Sequence, residues 1–243
     1  MDFNKSLDMR QKIIYILNRR TGQSAKGGFE MRIKYLKKMK ALVERRKNQI
    51  LDAASLIFSK EGFAKANTDQ IAKAANLGKG TIYRYFKSKK DLFLSVVDRG
   101  LDKLRDEILR EVEKTDDPLK KIGNAIKAYL SFFEKNRDLI GILIHEQSSF
   151  QKRIAKRYFE HYYGNVDRIK QTFKTGIEQG LIKEIDIESA ISVLTSILNG
   201  LIYMWQIEGR KYRLIDKVPI VTKIFLTGII KDEKRRKEYE KAK

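Results

Sequence analysis

The chain has 243 residues and no cysteine, which excludes disulfides, thiolate metal sites and cysteine nucleophiles, and its two histidines are too few for a convincing metal site. It carries a formal net charge of +21, and residues 1–99 hold 23 Lys and Arg against 9 Asp and Glu, so we expect a polyanion-binding module at the amino-terminal end. A hydrophobic content of 42%, only two prolines and abundant Lys, Glu, Leu, Ile and Ala predict an all-α fold with one large domain or two smaller ones.

The sequence also argues against a membrane protein, a secreted protein and an enzyme. We find no run of about 18 apolar residues and no signal peptide, so we expect a cytoplasmic protein without a membrane partner. No nucleophile–base pair, metal cluster or phosphate-cradling loop is visible, so we expect no enzyme activity, no metal and no cofactor.

Residues 1–43 form a basic extension of poor periodicity, with a flexible break at Thr21–Gly28. We expect it to be disordered or not native. One interpretation is that the natural protein starts at Met31, because codons for Lys26-Gly27-Gly28 can form a ribosome-binding sequence. The alternative is a basic arm that lies along DNA.

A first amphipathic helix is predicted to end near Lys60, with Gly62 as its stop. Its apolar face repeats at intervals of three and four residues through Ile50, Ala53, Ala54, Ile57 and Phe58.

A second, short helix follows, with Thr68 as its predicted N-cap and Asp69 in its first turn. It should bury Ile71, Ala72 and Ala75. Asn76 can adopt the left-handed conformation that a tight turn between helices needs.

The third helix occupies the stretch "LGKGTIYRYF", Leu77–Phe86. At 100° per residue Ile82 and Phe86 share one direction and should anchor the helix, while Arg84 points away from them. Thr81 and Lys87 lie beside Arg84, and Tyr83 and Tyr85 lie on opposite flanks of the helix.

This arrangement suits insertion of the helix into a DNA major groove, with the outward centre at base edges and the flanks at phosphates. Alternatively, Tyr83 and Tyr85 pack at domain seams.

Residues 45–92 closely resemble the DNA-binding domain of the TetR family of bacterial transcriptional regulators. The resemblance rests on the run T-x-x-I-A-x-x-A-x-(4)-G-T-I-Y-x-Y-F-x-S-K, from Thr68 to Lys89. It implies a three-helix helix-turn-helix domain followed by a helical ligand-binding and dimerisation domain. Asn76 stands where the family usually has Gly, and Gly78 stands where Ser is frequent.

The resemblance also implies DNA-binding roles for individual residues. Thr68 should cap the second helix against a phosphate, Lys79, Gly80, Thr81 and Arg84 should lie near base edges, and Tyr83, Tyr85 and Lys89 should contact the backbone. Arg46 and Lys47 complete the predicted DNA-binding set.

Further helices are predicted at about 89–114, 118–135, 137–147, 151–179, 187–208 and 217–231. Ser88 should cap the first of these with Asp91 as its acidic partner, Pro118 should occupy a first helical position, and Gly180 and Gly209 should end helices. The predicted divisions are a basic extension at 1–43, a helix-turn-helix domain at 44–92, a regulatory domain at 93–231 and a frayed, charged tail at 232–243.

Ala190–Trp205 and Val218–Ile230 are apolar on nearly every side, as expected of helices that pack on their own subunit and on a partner. We expect a four-helix homodimer interface. The predicted dimerisation residues are Ile191, Leu194, Ile197, Leu198, Leu201, Ile224 and Phe225. The alternative is a buried monomer core.

The aromatic residues between 118 and 179 could line an apolar cavity, although such residues are more often core. The predicted ligand-binding residues are Tyr129, Phe133, His145, Glu146, Tyr162, Phe173 and Trp205. The resemblance implies a small hydrophobic or amphipathic effector, such as an acyl-CoA or a drug-like molecule.

The sequence therefore predicts a DNA-binding transcriptional regulator, a ligand-responsive homodimeric repressor of a pseudo-palindromic double-stranded DNA operator. The alternative is an architectural or division-control DNA-binding protein on the same fold, without a small-molecule inducer.

Overall fold

The computed structural model describes residues 25–145 and 167–241, with side chains for 33–143 and 167–241. This part of the chain is helical apart from turns and one isolated antiparallel bridge between Ile182 and Ile230, which confirms the all-α prediction. The helices are Ala25–Lys65 (α1), Thr68–Ala74 (α2), Lys79–Tyr85 (α3), Lys89–Val112 (α4), Pro118–Lys135 (α5), Arg137–His145 (α6), 167–178 (α7), Ile187–Ile207 (α8), Val218–Ile229 (α9) and Glu233–Lys241 (α10). A short 3-10 helix, Leu214–Lys217, precedes α9.

The predicted limits of the later helices agree closely with these, whereas α1 begins at Ala25, within the extension that we expected to be disordered or not native. The 118–135 helix has the predicted bounds, while the predicted 187–208 and 217–231 helices are slightly shorter in the structure. The ends of the predicted 137–147 and 151–179 helices fall partly outside the described residues. Gly180 and Gly209 follow helices with φ of 69° and 74°, as expected of helix stops.

The chain divides into two compact units, Met1–Ile50 and Leu51–Lys243. In the first unit, the described residues belong to the basic half of α1. The second unit holds the rest of α1 and all later helices. The sequence-based divisions at 43, 92 and 231 stay predictions.

The second half of α1 packs with α2 and α3 around buried Phe58, Ile71, Ile82 and Phe86. The ring of Phe58 meets that of Phe93 edge-on, with centroids 5.0 Å apart. These contacts build a three-helix unit on the start of α4, as predicted, because each short helix presents one apolar face to a common centre.

Two helix boundaries differ from expectation. α1 bends at Gly62, where φ is 70°, and resumes to Lys65 rather than ending there. The N-cap of α2 is Asn67 and not Thr68: its side-chain oxygen accepts from the Asp69 amide at 2.9 Å, and the Gln70 side chain accepts from the Asn67 amide at 3.0 Å. This reciprocal capping box leaves the hydroxyl of Thr68 available for another partner.

The turns on either side of α3 follow the sequence prediction. Asn76 has φ 51°, the left-handed conformation expected between α2 and α3. The Ser88 hydroxyl accepts from the Asp91 amide at 3.1 Å, and the Asp91 carboxylate accepts from the Lys87 amide at 2.8 Å. α4 therefore starts at a double side-chain cap.

α4 to α9 enclose one apolar core that contains Leu119, Ile126, Phe173, Trp205 and Leu226. α5 starts at Pro118 behind the Asp117 cap, whose carboxylate accepts from the amides of Leu119 and Lys120. Pro118 has no amide hydrogen to satisfy, so it suits this first position.

The charged C-terminal segment is helical and docked, which corrects the prediction of a frayed tail. Arg235 of α10 lies 3.1 Å from the Asp117 carboxylate, and half-buried Tyr239 packs against the apolar core. Burial raises the pKa of the Tyr239 hydroxyl. An ion pair and an aromatic anchor together offset the low apolar content of α10.

Within the second unit, helices α1 to α3 are linked to the later helical bundle through α4 and through α6. α4 is continuous through both groups of helices. In addition, the Ser59 hydroxyl of α1 donates to the Asp138 carboxylate of α6 at 3.1 Å. A Cβ on Gly141 of α6 would lie 3.2 Å from the Ser59 carbonyl oxygen, so only glycine allows this close approach without displacement.

α8 has an unusual composition for a helix that is only partly buried. Among the described residues it is the one helix long and apolar enough to cross a membrane by length and composition, where the sequence led us to expect none. Only 17% of its most apolar window is buried. A large apolar helix surface is therefore left uncovered in a single chain.

Candidate nucleic-acid interface and ligand cavity

α3 presents opposite faces of different chemistry. Ile82 and Phe86 are 1% and 2% exposed, whereas Arg84 is exposed on the other side of the helix. Tyr83 is 46% exposed and Tyr85 is half-buried, so the tyrosines do lie at the margin. The helical-wheel prediction of this geometry is confirmed. A short helix held by two apolar side chains keeps its outer face available for a partner.

The amino-terminal end of α3 is open. Gly78, Lys79 and Gly80 are exposed, Thr81 is half-buried, and a Cβ built on Gly80 would meet no atom within 4 Å. The chain itself therefore does not require glycine here. The space in front of Gly80 is available to a surface that approaches the backbone closely.

Two of the predicted DNA contacts are partners of one another. The hydroxyl oxygens of Thr68 and Tyr83 are 3.2 Å apart in a hydrogen bond, and Thr68 is only 6% exposed. The bond ties α3 to the first turn of α2. We infer that it fixes the Tyr83 ring in position on the flank of α3.

Lys79 is also held from α2. Its ammonium lies 2.8 Å from the Asp69 carboxylate, and this hydrogen bond and charge raise the pKa of Lys79. Both side chains are about half exposed, so a phosphate or base could replace Asp69 at small cost.

Lys89 is placed differently from the expectation that it contacts the DNA backbone. Its ammonium donates to the carbonyls of Phe63, Ala64 and Ala66 at 2.8, 3.3 and 2.9 Å and lies 4.5 Å from the centre of the Phe63 ring. It thus binds the carboxyl end of α1, where the helix dipole and unpaired carbonyls attract a cation. With its donors used in this way, Lys89 holds α1 to α4.

Arg46 and Lys47 belong to the first unit. Arg46 is exposed and its guanidinium donates to the Gln49 side chain at 3.5 Å, while Lys47 is half-buried. Their DNA-binding role stays a prediction.

The second unit contains a cavity of about 390 Å³ between α4, α5, α7 and α8. Most of its wall is apolar, with residues such as Leu104, Ile108, Ile126 and Ile169. A volume and lining of this kind are typical of sites for small apolar ligands.

Four of the five charged lining residues lie near the α4–α5 connection: Glu113, Asp116, Lys121 and Arg168. The fifth, Arg105, lies about two turns earlier on α4 and pairs with Asp102 and Asp106. Arg168 pairs with Glu113 at 2.9 Å. On α5 the lining residues Lys121, Ala125 and Tyr129 succeed one another every four residues, so Tyr129 lies about 12 Å along the helix from Lys121. The cavity therefore extends along α5, with most of its charged residues at the end near the α4–α5 connection, which we call the charged end.

The predicted ligand residues divide into three groups. Tyr129 and Phe173 line the cavity. Phe133 and Trp205 lie in the apolar core instead, where the Phe133 and Tyr129 ring centres are 5.1 Å apart and the Trp205 indole donates to the Tyr212 carbonyl at 2.7 Å. Large aromatic rings fill the closely packed core, which explains their absence from the lining. Glu146, Tyr162 and the His145 side chain lie outside the described residues.

Sequence reasoning missed the charged end of the cavity. Lys121 could have been found, because it shares a helix face with Tyr129 at a spacing of eight residues. Arg168 could not, since it reaches the site only through the packing of α7 on α4.

The predicted dimerisation residues are placed on two sides of α8 and α9. Ile197 and Ile224 are 38% and 62% exposed, and Leu194 and Leu201 are half-buried. Ile191, Leu198 and Phe225 are buried in the core of their own subunit, so they are not part of the exposed surface. The sequence did not distinguish the exposed side of α8 and α9 from their buried side, because both sides carry large apolar residues. The exposed apolar surface also includes Val193, Tyr203, Met204, Ile207 and Ile220.

Comparison with known proteins places these features in a family. A model of bacterial regulatory proteins of the tetR family matches residues 50–96, and a model of the C-terminal region of YsiA-like proteins matches residues 97–228. The fatty acid metabolism regulator protein of Bacillus subtilis is 23% identical over 182 residues, which cover 74% of this chain and 94% of that protein.

Solved structures share the fold. The fatty acid degradation regulator FadR from Bacillus halodurans gives a TM-score of 0.69 at 24% identity, covering 75% of this chain and 95% of that one. FadR from Bacillus subtilis in complex with stearoyl-CoA gives 0.67 at 22% identity, covering 74% and 98%.

The two family models adjoin at residue 96, and the second alone spans more than half of the chain. The first covers the helices that present Arg84, and the second covers the helices around the cavity. The chain therefore belongs to the TetR family of bacterial regulatory proteins, which are DNA-binding transcriptional regulators.

Proposed function

We propose that this regulator is a ligand-responsive homodimeric repressor in the cytoplasm, which reads a pseudo-palindromic operator with α3. The observation that carries the proposal is the two-faced character of α3, with Ile82 and Phe86 fully buried and Arg84 exposed opposite them. Binding and release of DNA require no bond chemistry, so the proposal includes no reaction.

In the proposed complex, α3 lies in the major groove. Arg84 donates to base edges, for which an arginine fork suits guanine best. Thr81 and Lys79 extend the reading surface, and Gly80 lets the backbone approach. Tyr83, positioned by its bond to Thr68, and Tyr85 contact phosphates on the flanks.

The proposed dimer forms through α8 and α9. Seven apolar side chains of these helices are between 38% and 62% exposed, and they occur on two adjacent elements rather than scattered: Val193, Ile197, Tyr203, Met204, Ile207, Ile220 and Ile224. Joining two copies through this surface removes it from water. A two-fold dimer then presents two α3 helices to successive turns of DNA.

The proposed effector is a long apolar chain with an anionic head group, of which an acyl-CoA is the leading candidate. The apolar wall suits the chain, and Lys121 and Arg168 at the charged end suit the head group. An anion competes with Glu113 for Arg168 at that end. The similar structure of FadR from Bacillus subtilis was solved in complex with stearoyl-CoA, which supports this class.

The proposed signal passes from the cavity to α3 through α4 and α6. α4 lines the cavity with residues between Leu101 and Val112 and begins next to α3. α6 touches α1 through the Asp138–Ser59 bond. A ligand that favours a different α4 position changes the spacing of the two α3 helices and lowers operator affinity.

The proposal is tested by selecting bound sequences from random DNA and measuring affinity for the selected operator with and without stearoyl-CoA. We expect a two-fold symmetric motif with half-sites about one helical turn apart and weaker binding with stearoyl-CoA, but not with free coenzyme A. An unsymmetric motif would contradict the dimer model.

The architectural or division-control alternative predicts a different outcome. There, operator affinity is unchanged by every acyl-CoA and apolar ligand, while the regulatory half binds a protein partner. The cavity with its charged end favours the ligand-responsive repressor.

A further inference from the structure

The basic half of α1 precedes the residues that the family models match. Between Lys34 and Lys47 it carries seven basic residues and one acidic residue, Glu44. This density of positive charge belongs to the first unit of the chain, in a segment that is helical in the structure. It makes the segment a strong candidate for contact with a polyanion.

The charges on this segment are ordered along the helix. At 100° per residue, Lys34, Lys37, Lys38 and Arg45 share one face, and all four are exposed. Leu36, Met39 and Val43 lie on the opposite side. We call the four-residue surface the basic face.

Local ion pairs do not neutralise the basic face. Within the described residues, no ion pair involves any of its four cations or Glu44. The charged helix α10 differs, since Arg235 pairs with Asp117 and Arg236 pairs with Glu240. Uncompensated cations on one helix side repel one another, and a polyanion relieves that repulsion.

We propose that the basic face binds backbone phosphates of the operator DNA, outside the bases that α3 reads. This proposal rests on the DNA-binding function proposed above and adds a second, sequence-independent contact. The four cations span about 17 Å along the helix axis. Double-stranded DNA presents one negative charge per about 1.7 Å, so one face of four cations can meet several phosphates.

The occupant is DNA rather than an anionic membrane, because the chain belongs to a family of DNA-binding regulators and a row of cations is complementary to the regularly spaced phosphates of DNA. The apolar side of the segment gives the membrane alternative a distinct result in the test below.

The test uses the full-length chain with Lys34, Lys37, Lys38 and Arg45 all changed to Gln, and measures DNA affinity from low to high salt. We expect the slope of log affinity against log salt to fall by about 3 to 4, since each lost phosphate contact removes about 0.9. Affinities for operator and for random DNA should both fall about tenfold or more near physiological salt, with their ratio unchanged.

Two control variants accompany this one. Changing Lys231, Lys234, Lys237 and Lys241 to Gln removes the same charge from the other end of the chain and should leave the slope nearly unchanged. The Lys34→Arg, Lys37→Arg, Lys38→Arg and Arg45→Lys variant keeps the charge and should keep the slope, which separates charge from helix stability.

An unchanged slope in the neutralised variant would overturn the proposal. If the neutralised variant with an unchanged slope also loses binding to vesicles that contain phosphatidylserine, the basic face binds a membrane instead of DNA. Failure of the proposed function looks different, because the unaltered chain would then show no preference for any selected operator.

Discussion

The hydroxyl of Tyr129 donates a hydrogen bond of 2.6 Å to the side-chain oxygen of Asn199. Tyr129 is 7% exposed and lines the cavity, whereas Asn199 is exposed on α8, the helix of the proposed dimer surface. The bond therefore joins the cavity wall directly to the helix of the proposed dimer surface. We expect a ligand that displaces Tyr129 to act on α8 as well.

A double-mutant cycle with Tyr129→Phe and Asn199→Ala measures this link. We expect each single change to lower the free energy of unfolding by about 1 kcal/mol, with the double change costing about 1 kcal/mol less than the sum. Urea unfolding at fixed protein concentration gives these values. Strict additivity would mean that the two side chains do not interact.

The carbonyl partners of Lys89 lead us to expect that it supports the fold rather than a DNA contact. Replacing Lys89 with Met removes its bonds to the carbonyls of Phe63, Ala64 and Ala66 and should lower the free energy of unfolding by about 2 kcal/mol. Lys87→Met is the matched control on the exposed surface and should change stability by less than about 0.5 kcal/mol.

The salt dependence of DNA binding by the same Lys89→Met variant distinguishes a structural role of Lys89 from a contact with a DNA phosphate. If Lys89 held a phosphate, the slope of DNA affinity against salt would fall by about 1. We expect no such change, with binding measured well below the unfolding temperature of the variant.

The Asp117 carboxylate makes the free energy of unfolding depend on pH. Burial of this carboxyl opposes its ionisation, but the amides of Lys120 and Leu119 and the Arg235 guanidinium outweigh burial and lower its pKa. A lowered folded-state pKa stabilises the protein above the unfolded value of about 3.9, and the stabilisation is lost as pH falls through the folded-state pKa.

We therefore expect Asp117→Asn to be less stable than the unaltered chain at neutral pH, with the difference closing as pH falls below about 4. Urea unfolding across that range measures it. Asp116→Asn removes the same charge from an exposed neighbour and should show a smaller difference. A gap that stays constant to low pH would contradict the assigned role of the Asp117 charge.

The dimer surface is tested by the Ile197→Glu, Ile224→Glu double variant. Charges placed on this apolar face should weaken association and shift the mass in solution from dimer toward monomer at micromolar concentration. Leu56→Glu, at a residue that is 40% exposed in the DNA-reading part, is the control and should leave the dimer intact. Analytical ultracentrifugation gives the masses.

The helices and the faces of α3 could be predicted from sequence, because local periodicity and capping determine them. Ile82 and Phe86 lie four residues apart, and a single turn of helix geometry is enough to place Arg84 opposite. The roles of Asn76 in a turn and of Pro118 at a helix start could be predicted in the same way, because each residue favours a particular backbone conformation.

The partners of long side chains could not be predicted in the same way. Lys89 meets the end of α1 across 26 residues, and Arg168 meets Glu113 across 55. Such contacts depend on how helices pack, which periodicity does not specify. Trp205 and Phe133 illustrate the same limit, because an apolar face does not reveal whether it lines a cavity or fills a core.

The central claim is that α3 reads DNA sequence through Arg84. Its most direct test is the affinity of Arg84→Ala for the selected operator and for random DNA at one salt concentration. We predict that operator binding weakens by about 1 to 3 kcal/mol while random-sequence binding changes much less. Equal losses on both DNAs would contradict base reading by Arg84 and reduce it to a phosphate contact.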